Sequence, residues 1–436
     1  MTSYGDWKKF VSKTSKVAII SELCFKNPQK AYESYQAVRD LSIKLTEPLH
    51  IEDFGVQAME DVSPTKWHLA HVSWFYETFI LKKFASSYQD FDQSFRVIFN
   101  SYYNGVGEFH PRPKRFLLFR PSLDKVLEYR RYIDTSMKTF LLHCSKDLFE
   151  KVVPILTLGL NHEQQHQELL LTDITYNFSQ CPVYPKYDKK DPIPVKKPPP
   201  MAFSPLKTGV FKQGAFEGFS FDNERPLHSV YINPVEIGSR LVTNGEYMEF
   251  IEEKGYERFE FWLSDGWDFL QKNRIKNPLY WHLDGIKPMT FGLQGLVPLD
   301  MHAPLSHISY YEAQAYAAYR GCRLPFEYEW EAYASQFSPD GGFLDSMTLN
   351  AGHQVSDNQC HGQLWQWTQS AYSPYPGFKE LEGELSEYNG KFMSDQYVLK
   401  GGSYLTSRSH YRTTYRNFFK ADARWQATGI RLARDL

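Results

Sequence analysis

The chain has 436 residues, with 49 Lys and Arg against 51 Asp and Glu, for a net charge of −2. At ~100–200 residues per domain this length suggests two or three domains. The balanced charge lacks the one-signed field that recruits nucleic acid or an anionic lipid surface. No apolar run approaches the ~20 residues that span a bilayer, and the opening Met1-Thr-Ser-Tyr-Gly-Asp-Trp has no apolar signal core. The five cysteines (Cys24, Cys144, Cys181, Cys322 and Cys360) are odd in number and scattered, with no Cys-x-x-Cys pair. That speaks against a disulfide framework or a cysteine-built zinc site, so a cytoplasmic chain is expected, free of nucleic-acid and membrane partners.

Residues 28–46 carry helical spacing. Ser63-Pro64 is expected to open a second helix, since Ser caps well and Pro suits the first helical position. Ser122 is expected to open a third, with Val126, Leu127, Tyr129 and Ile133 near helical spacing. A fourth is expected from about 154 to 176. Four such helices predict an antiparallel bundle, whose sites are built from inward-pointing side chains. Residues 182–205 hold eight prolines, which excludes helix and central strand and predicts an extended linker. Beyond it, short β-prone pieces at 209–214, 229–232 and 396–400 alternate with turns. Helical stretches at 242–254, capped by Thr243-Asn244, and at 310–320 interrupt them. The expected class is α+β multidomain, divided as 1–181, 182–205 and 206–436.

The strongest chemical signal is Asn161-His162-Glu163-Gln164-Gln165-His166. His162 and His166 are four apart, so on a helix their Cβ atoms lie ~5–6 Å apart on one face. That face also carries Ile155, Leu158, Leu169 and Leu170 and points inward. Buried imidazoles need partners, and a metal satisfies them. The string is also HExxH, in which Glu163 would be the base of a zinc hydrolase. A third ligand is sought in Trp67-His68-Leu-Ala-His71. His71 sits in an aromatic stripe with Trp67, Trp74 and Phe75, whereas His68 lies ~60° round the helix and is the competing candidate. Three neutral imidazoles leave positions open for water on zinc or for substrate and O2 on iron, and donor type alone does not decide.

The loop from Asn100 to Arg115 holds Tyr102-Tyr103, which could supply a phenol proton, and Arg112 and Arg115, whose guanidinium groups match a carboxylate. The bland alternative is a packed aromatic pair and a solvated basic turn. The stretch Tyr415-Arg-Asn417-Phe418-Phe419 through Arg424-Trp425-Gln426 could bind a small polar ligand or be strand and turn packing.

Together these strings resemble a known family. Trp67-His-Leu-Ala-His71 and His162-Glu-Gln-Gln-His166 resemble the DinB-like four-helix bundle of the ergothioneine-pathway sulfoxide synthases (EgtB). The second half is similar to the formylglycine-generating-enzyme domain, a C-type-lectin-like α+β fold. It carries Phe221-Asp-Asn-Glu224, Val242-Thr-Asn-Gly-Glu-Tyr247, Gly321-Cys-Arg-Leu-Pro325, Glu327-Tyr-Glu-Trp330, Trp365-Gln-Trp-Thr368, Lys400-Gly-Gly-Ser403 and Gly429-Ile-Arg431. The resemblance spans nearly the whole chain, in the family's order.

The resemblance implies one Fe(II) held by His71, His162 and His166. It implies C–S bond formation between a thiol and C2 of the imidazole of hercynine, with O2 as oxidant and a sulfoxide as product. Gln165, Asn417 and Phe418 match positions that hold hercynine, with Phe418, Phe419 and Trp425 as candidates to surround its trimethylammonium group. Arg112 and Arg115 match positions that bind the thiol substrate's carboxylate. The mycobacterial-type catalytic tyrosine is missing: Leu385 stands there, before Tyr388. The other branch has adjacent tyrosines in the bundle loop, as Tyr102-Tyr103 here. Phe419 replaces an acidic residue, which favours cysteine over γ-glutamylcysteine as sulfur donor. Thr406 and Tyr411 stand where the formylglycine enzyme has its reactive cysteines, so sulfatase activation is not expected. A selenosugar or histidine substrate, a zinc hydrolase and a lectin-like binding protein remain the alternatives.

Overall fold

The computed structural model describes residues 27–352 and 358–436; the expectations for the N-terminus and Cys24 lie outside them. The chain divides into two compact units: Met1–Gln180 with Glu382–Glu387, and Cys181–Leu381 with Tyr388–Leu436. Among the described residues no helix is long and apolar enough to cross a membrane.

The first unit is helical. Its main helices are α1 (Pro28–Lys44), α2 (Thr65–Tyr76), α3 (Leu123–His143) and α4 (Lys146–Ser179). The side chain of Asn27 caps α1, accepting the amide of Gln29, and Pro28 starts it. Ser122 caps α3 as expected. Two boundaries differ from expectation. Helix α2 starts one residue later, with Pro64 at its cap position. Ser63 is committed elsewhere: its amide donates to Asp173 and its hydroxyl accepts from Arg115. Helix α4 starts at Lys146 rather than near 154, because the Ser145 hydroxyl accepts the Leu148 amide and opens the helix two turns earlier. Pro154 lies inside it.

Helices α2 and α4 touch at Gly159. A Cβ there would stand 2.7 Å from Tyr76 Cε1 and 3.0 Å from Phe75 Cε1. Only a residue without a side chain allows this approach, and it occurs one turn before His162. The other side of α4 is held by charge. Glu163 accepts from Arg130 at 2.6 Å, Ser42 at 2.6 Å and Arg39 at 3.1 Å. Arg39 reaches on to Asp134 at 2.7 Å, so the acid ties α1, α3 and α4 together. After α2 the chain makes one π-helical turn, Glu77–Leu81.

The second unit is α+β, in agreement with the sequence. It holds β1 (Phe203–Pro205), β2 (Gly209–Gln213), β3 (His228–Ile232), β4 (Val235–Gly238), α5 (Asn244–Glu252) and α6 (Ser264–Asn273). It continues with β5 (Trp281–His282), β6 (Met289–Gly292), β7 (Gly295–Pro298), α7 (Tyr310–Tyr319) and α8 (Glu327–Ala334), then β8 (Trp365–Ala371), β9 (Gln396–Lys400), β10 (Asn417–Lys420), β11 (Thr428–Gly429) and β12 (Ala433–Asp435). The sheets run β1-β4-β12, β10-β9-β8-β11, β2-β3 and β5-β6-β7. All pairings are antiparallel except β11 with β8. Strand β1 falls in the last three residues of the expected linker; its proline is tolerated because β1 is an edge strand.

The motif strings of this unit are largely its buried scaffold. Gln366 accepts from Trp330 Nε1 and Arg431 Nε, both at 2.7 Å. Lys400 donates to Glu331 at 2.9 Å, Arg416 pairs with Glu327 at 2.8 Å, and Arg412 pairs with Glu224 at 2.6 Å. Gly401 has φ +109°, and a Cβ there would meet Gln366 Nε2 at 2.6 Å. The second and third positions of that Lys-Gly-Gly turn are therefore closed to side chains.

Candidate metal centre

Three imidazoles converge between α2 and α4. His71, His162 and His166 bring one nitrogen each within 4.8 Å of one another, the one group of this kind among the described residues. His71 Nε2 and His162 Nε2 lie 3.2 Å apart. Helix period explains the set: His162 and His166 share a face, and Gly159 lets that face meet His71. His71 and His162 are buried and His166 is partly open.

The ring faces are packed. Trp67 stacks on His71 with centroids 4.6 Å apart and planes 11° apart, and Trp74 stacks on the other side at 5.5 Å and 17°. His71 Nδ1 lies 2.7 Å from the carbonyl of Phe99. A carbonyl only accepts, so Nδ1 carries the proton and Nε2 is left as a lone pair facing His162. Burial pushes the His162 imidazole down to about 3, and burial reinforced by the neighbouring His162 ring holds His71 well below its ordinary value. His166 is lowered in the same way. Neutral rings with converging lone pairs are the donor set a divalent transition metal takes, so the residues fit a metal ion.

His68, the competing candidate, is not in the group. Its Nδ1 lies 2.9 Å from His166 Nδ1 and its Nε2 3.0 Å from Asp173. Glu163 is also out of reach of the metal chemistry. It sits next to His162, about 100° round the helix, with both oxygens on Arg39, Arg130 and Ser42. Burial alone would raise its carboxyl, but Arg39 and Arg130 outweigh that and hold it at about 2. The zinc-hydrolase reading needs Glu163 facing a metal-bound water, and the structure overturns it.

Near the imidazoles, Arg115 lies over Trp67 with its guanidinium carbon 3.3 Å from the ring centroid. It is buried, donates to Ser63 Oγ at 2.8 Å and Ser101 Oγ at 3.0 Å, and its Nε has no partner. No acid bonds it among the described residues. Arg112, three residues away, is exposed and donates to the Asp61 carbonyl. A small cavity beside them is lined by Pro64, Lys66, Trp67, Phe99 and Arg115.

Tyr103 is fully buried, stacked on Tyr102 at 4.6 Å and 5.7 Å from the Trp74 ring. The loop that carries them is stapled by Asn100, which accepts the Tyr103 amide and donates to its carbonyl, both at 3.0 Å. The segment Glu382–Glu387 packs with this unit. Glu387 accepts the Gly105 amide at 2.8 Å and Asn104 Nδ2 at 2.9 Å. Gln165 lies beside His166, partly exposed.

The remaining two expected site residues belong to the second unit. Asn417 and Phe418 open β10; Phe418 stacks on Tyr372 at 4.0 Å, and Asn417 Oδ1 accepts the Phe418 amide. Phe419 and Trp425 lie 6.4 Å apart. Tyr411 and Thr406 are buried, with the Tyr411 hydroxyl 2.6 Å from His361 Nδ1 and Thr406 Oγ1 accepting the Ser403 amide. Sequence reasoning missed Gly159, His68–Asp173 and the Glu387 contact. Gly159, one turn from His162 on the packed face, is the one with a signal in the string.

Comparison with known proteins matches the second half to a known domain and finds relatives over half or more of the chain. The profile of the sulfatase-modifying factor enzyme 1-like domain matches residues 190–358 and 356–436. A hercynine oxygenase of Mycolicibacterium smegmatis is 33% identical over 311 residues, 64% of this chain and 71% of the relative. One of Mycobacterium tuberculosis is 34% identical over 249 residues, 51% of this chain and 57% of the relative. Ergothioneine biosynthesis protein 1 of Schizosaccharomyces pombe is 29% identical over 233 residues, 50% of this chain and 28% of the relative.

Proposed function

The chain belongs to the hercynine oxygenase family, and on that premise we propose that it is an iron-dependent, O2-using sulfoxide synthase that joins cysteine to C2 of the hercynine imidazole. It is an oxidoreductase of the type used in ergothioneine biosynthesis. The observation that carries the reading of its centre is the convergence of three neutral imidazoles. We assign Fe(II) to His71, His162 and His166. Bound there, the ion would supply the site of O2 reduction and lower the proton affinity of the thiol.

The rest of the reading follows from what the side chains can do. Holding an imidazole and a thiol side by side converts a bimolecular coupling into a local one. Arg115 is a buried guanidinium with no acid on it, and such a group is costly unless an anion joins it. The carboxylate of the thiol substrate is that anion, with Arg112 at the exposed end. Gln165, Asn417 and Phe418 are assigned to hercynine, and the Phe418–Tyr372 stack has the π surface that attracts a trimethylammonium group.

Tyr102 or Tyr103 is assigned as the phenol that donates a proton during oxygen reduction. The docking of Glu382–Glu387 on their loop supports this. That segment contains Leu385, where the mycobacterial-type branch has its tyrosine, so a phenol on the loop would stand near the position the other branch fills. The sulfur donor is assigned as cysteine because Phe419 offers no carboxylate to a γ-glutamyl extension.

The test is anaerobic loading with Fe(II), then O2 with hercynine and either cysteine or γ-glutamylcysteine, with mass spectrometry of the products. The coupled sulfoxide from cysteine is expected. Product from γ-glutamylcysteine alone would keep the reaction and reject the donor. No product from either, with iron bound, would reject both.

A further inference from the structure

Two of the three imidazoles, His71 and His166, are oriented from behind, and one of the supports is itself a histidine. His68 and His166 face each other through Nδ1 atoms 2.9 Å apart, so two neutral rings hold one proton between them. On its far side His68 Nε2 lies 3.0 Å from Asp173 Oδ2. The same oxygen accepts the backbone N–H of Ser63 at 2.8 Å. A carboxylate only accepts, so His68 carries its proton on Nε2 and turns a lone pair toward His166. The shared proton then sits on His166 Nδ1, and His166 Nε2 is bare.

We propose that Asp173 and His68 are positioning residues that fix the metal-binding tautomer of His166. The proposal rests on the reading that His71, His162 and His166 hold the metal. Three features mark the arrangement as built. His68 and Asp173 are 3% and 2% exposed, so water does not substitute for either bond. Asp173 is pinned by a main-chain amide at the start of α2, which fixes its oxygen without a rotatable partner. Both nitrogens of His68 are committed, leaving none for the metal. His71 receives the same service from the Phe99 carbonyl. The two ligands are thus set by different means: one by backbone, one by a side-chain relay open to substitution. The relay is also linked to the substrate side, because Ser63 Oγ accepts from Arg115.

The test reads metal binding without substrates. Metal-free full-length protein is titrated with Co(II) and followed by its visible absorbance. His68→Asn keeps an acceptor oxygen at the Nδ1 position, whereas His68→Leu has the same branching and no acceptor. His68→Leu and Asp173→Leu should bind Co(II) about 10–100-fold more weakly, with His68→Asn within about threefold of wild type, the scale of outer-shell effects on metal affinity. Nitrogen-15 spectra of the metal-free wild type should show His166 protonated at Nδ1. Indistinguishable affinities for the Asn and Leu variants, or His166 protonated at Nε2, would overturn the proposal and leave the metal reading standing. A wild type that binds no cobalt would overturn both. Should the Leu variants melt early by circular dichroism, the wild-type tautomer decides alone.

Discussion

Two neighbouring side chains on one helix turn, Glu163 and His162, show two ways of burying polar atoms. Glu163 is closed on all sides, its oxygens taken by Arg39, Arg130 and Ser42. His162 instead turns an Nε2 toward another Nε2 3.2 Å away, within the group of three imidazole nitrogens that can hold a metal ion. The second unit repeats the closed pattern. Glu224, Glu312, Glu327 and Glu331 each face a base, the Tyr411 hydroxyl is bonded to His361, and Thr406 accepts from Ser403. Closed polar groups build the scaffold, and three imidazole nitrogens drawn together mark a place that can take a cation.

The largest effect should come from opening a closed group. Glu163→Leu leaves Arg130 buried without its acid and Arg39 with Asp134 alone, and should cost about 3–5 kcal/mol in urea unfolding; a loss under about 1 kcal/mol would break the distinction. Gly159→Ala comes next. Its methyl meets Tyr76 and Phe75, so we expect ~1–3 kcal/mol of overpacking strain together with weaker metal binding, because the helices carrying His71 and His162 must part. Unchanged metal affinity would show that their approach is not what sets the site.

Acid should weaken the second unit. Burial holds His307 and His361 down to about 4 in the fold, against about 6.5 when unfolded. Between these values the unfolded chain binds more protons, so stability falls as pH drops from 6.5 to 4, by up to about 1.4 kcal/mol per pH unit per group. His307→Gln should flatten that slope in melts across pH; an unchanged slope would contradict it. The mildest changes are Tyr102→Phe and Tyr103→Phe. Each removes one oxygen and should leave stability within about 1 kcal/mol. At least one should lose most sulfoxide product while still consuming thiol, and full coupling in both would remove the phenol from the account.

Much of this was legible in the sequence. The i, i+4 histidines and the aromatic stripe around His71 are periodic signals, and periodicity survives folding. The Ser122 and Thr243 caps were read correctly because capping is local. The start of α2 was missed by one residue because a tertiary demand, Asp173 on the Ser63 amide, outweighed a good cap. Helix α4 begins two turns before the proline at 154 because Ser145 caps it there, and a proline inside a helix is an uncertain start signal. Helix α6 and the β5-β6-β7 sheet were not foreseen, since their short, mixed patterns are fixed by packing. The role of Glu163 was invisible for a like reason: HExxH names the acid, but Arg39 and Arg130, 124 and 33 residues earlier in the chain, decide which way it points.

The most direct test is the iron content of anaerobically loaded protein, wild type against His71→Ala, His162→Ala and His166→Ala, after removal of free metal. The account predicts one Fe(II) per wild-type chain and loss of it in each variant, with the second unit still folded. Iron retained at wild-type level in all three variants would contradict it.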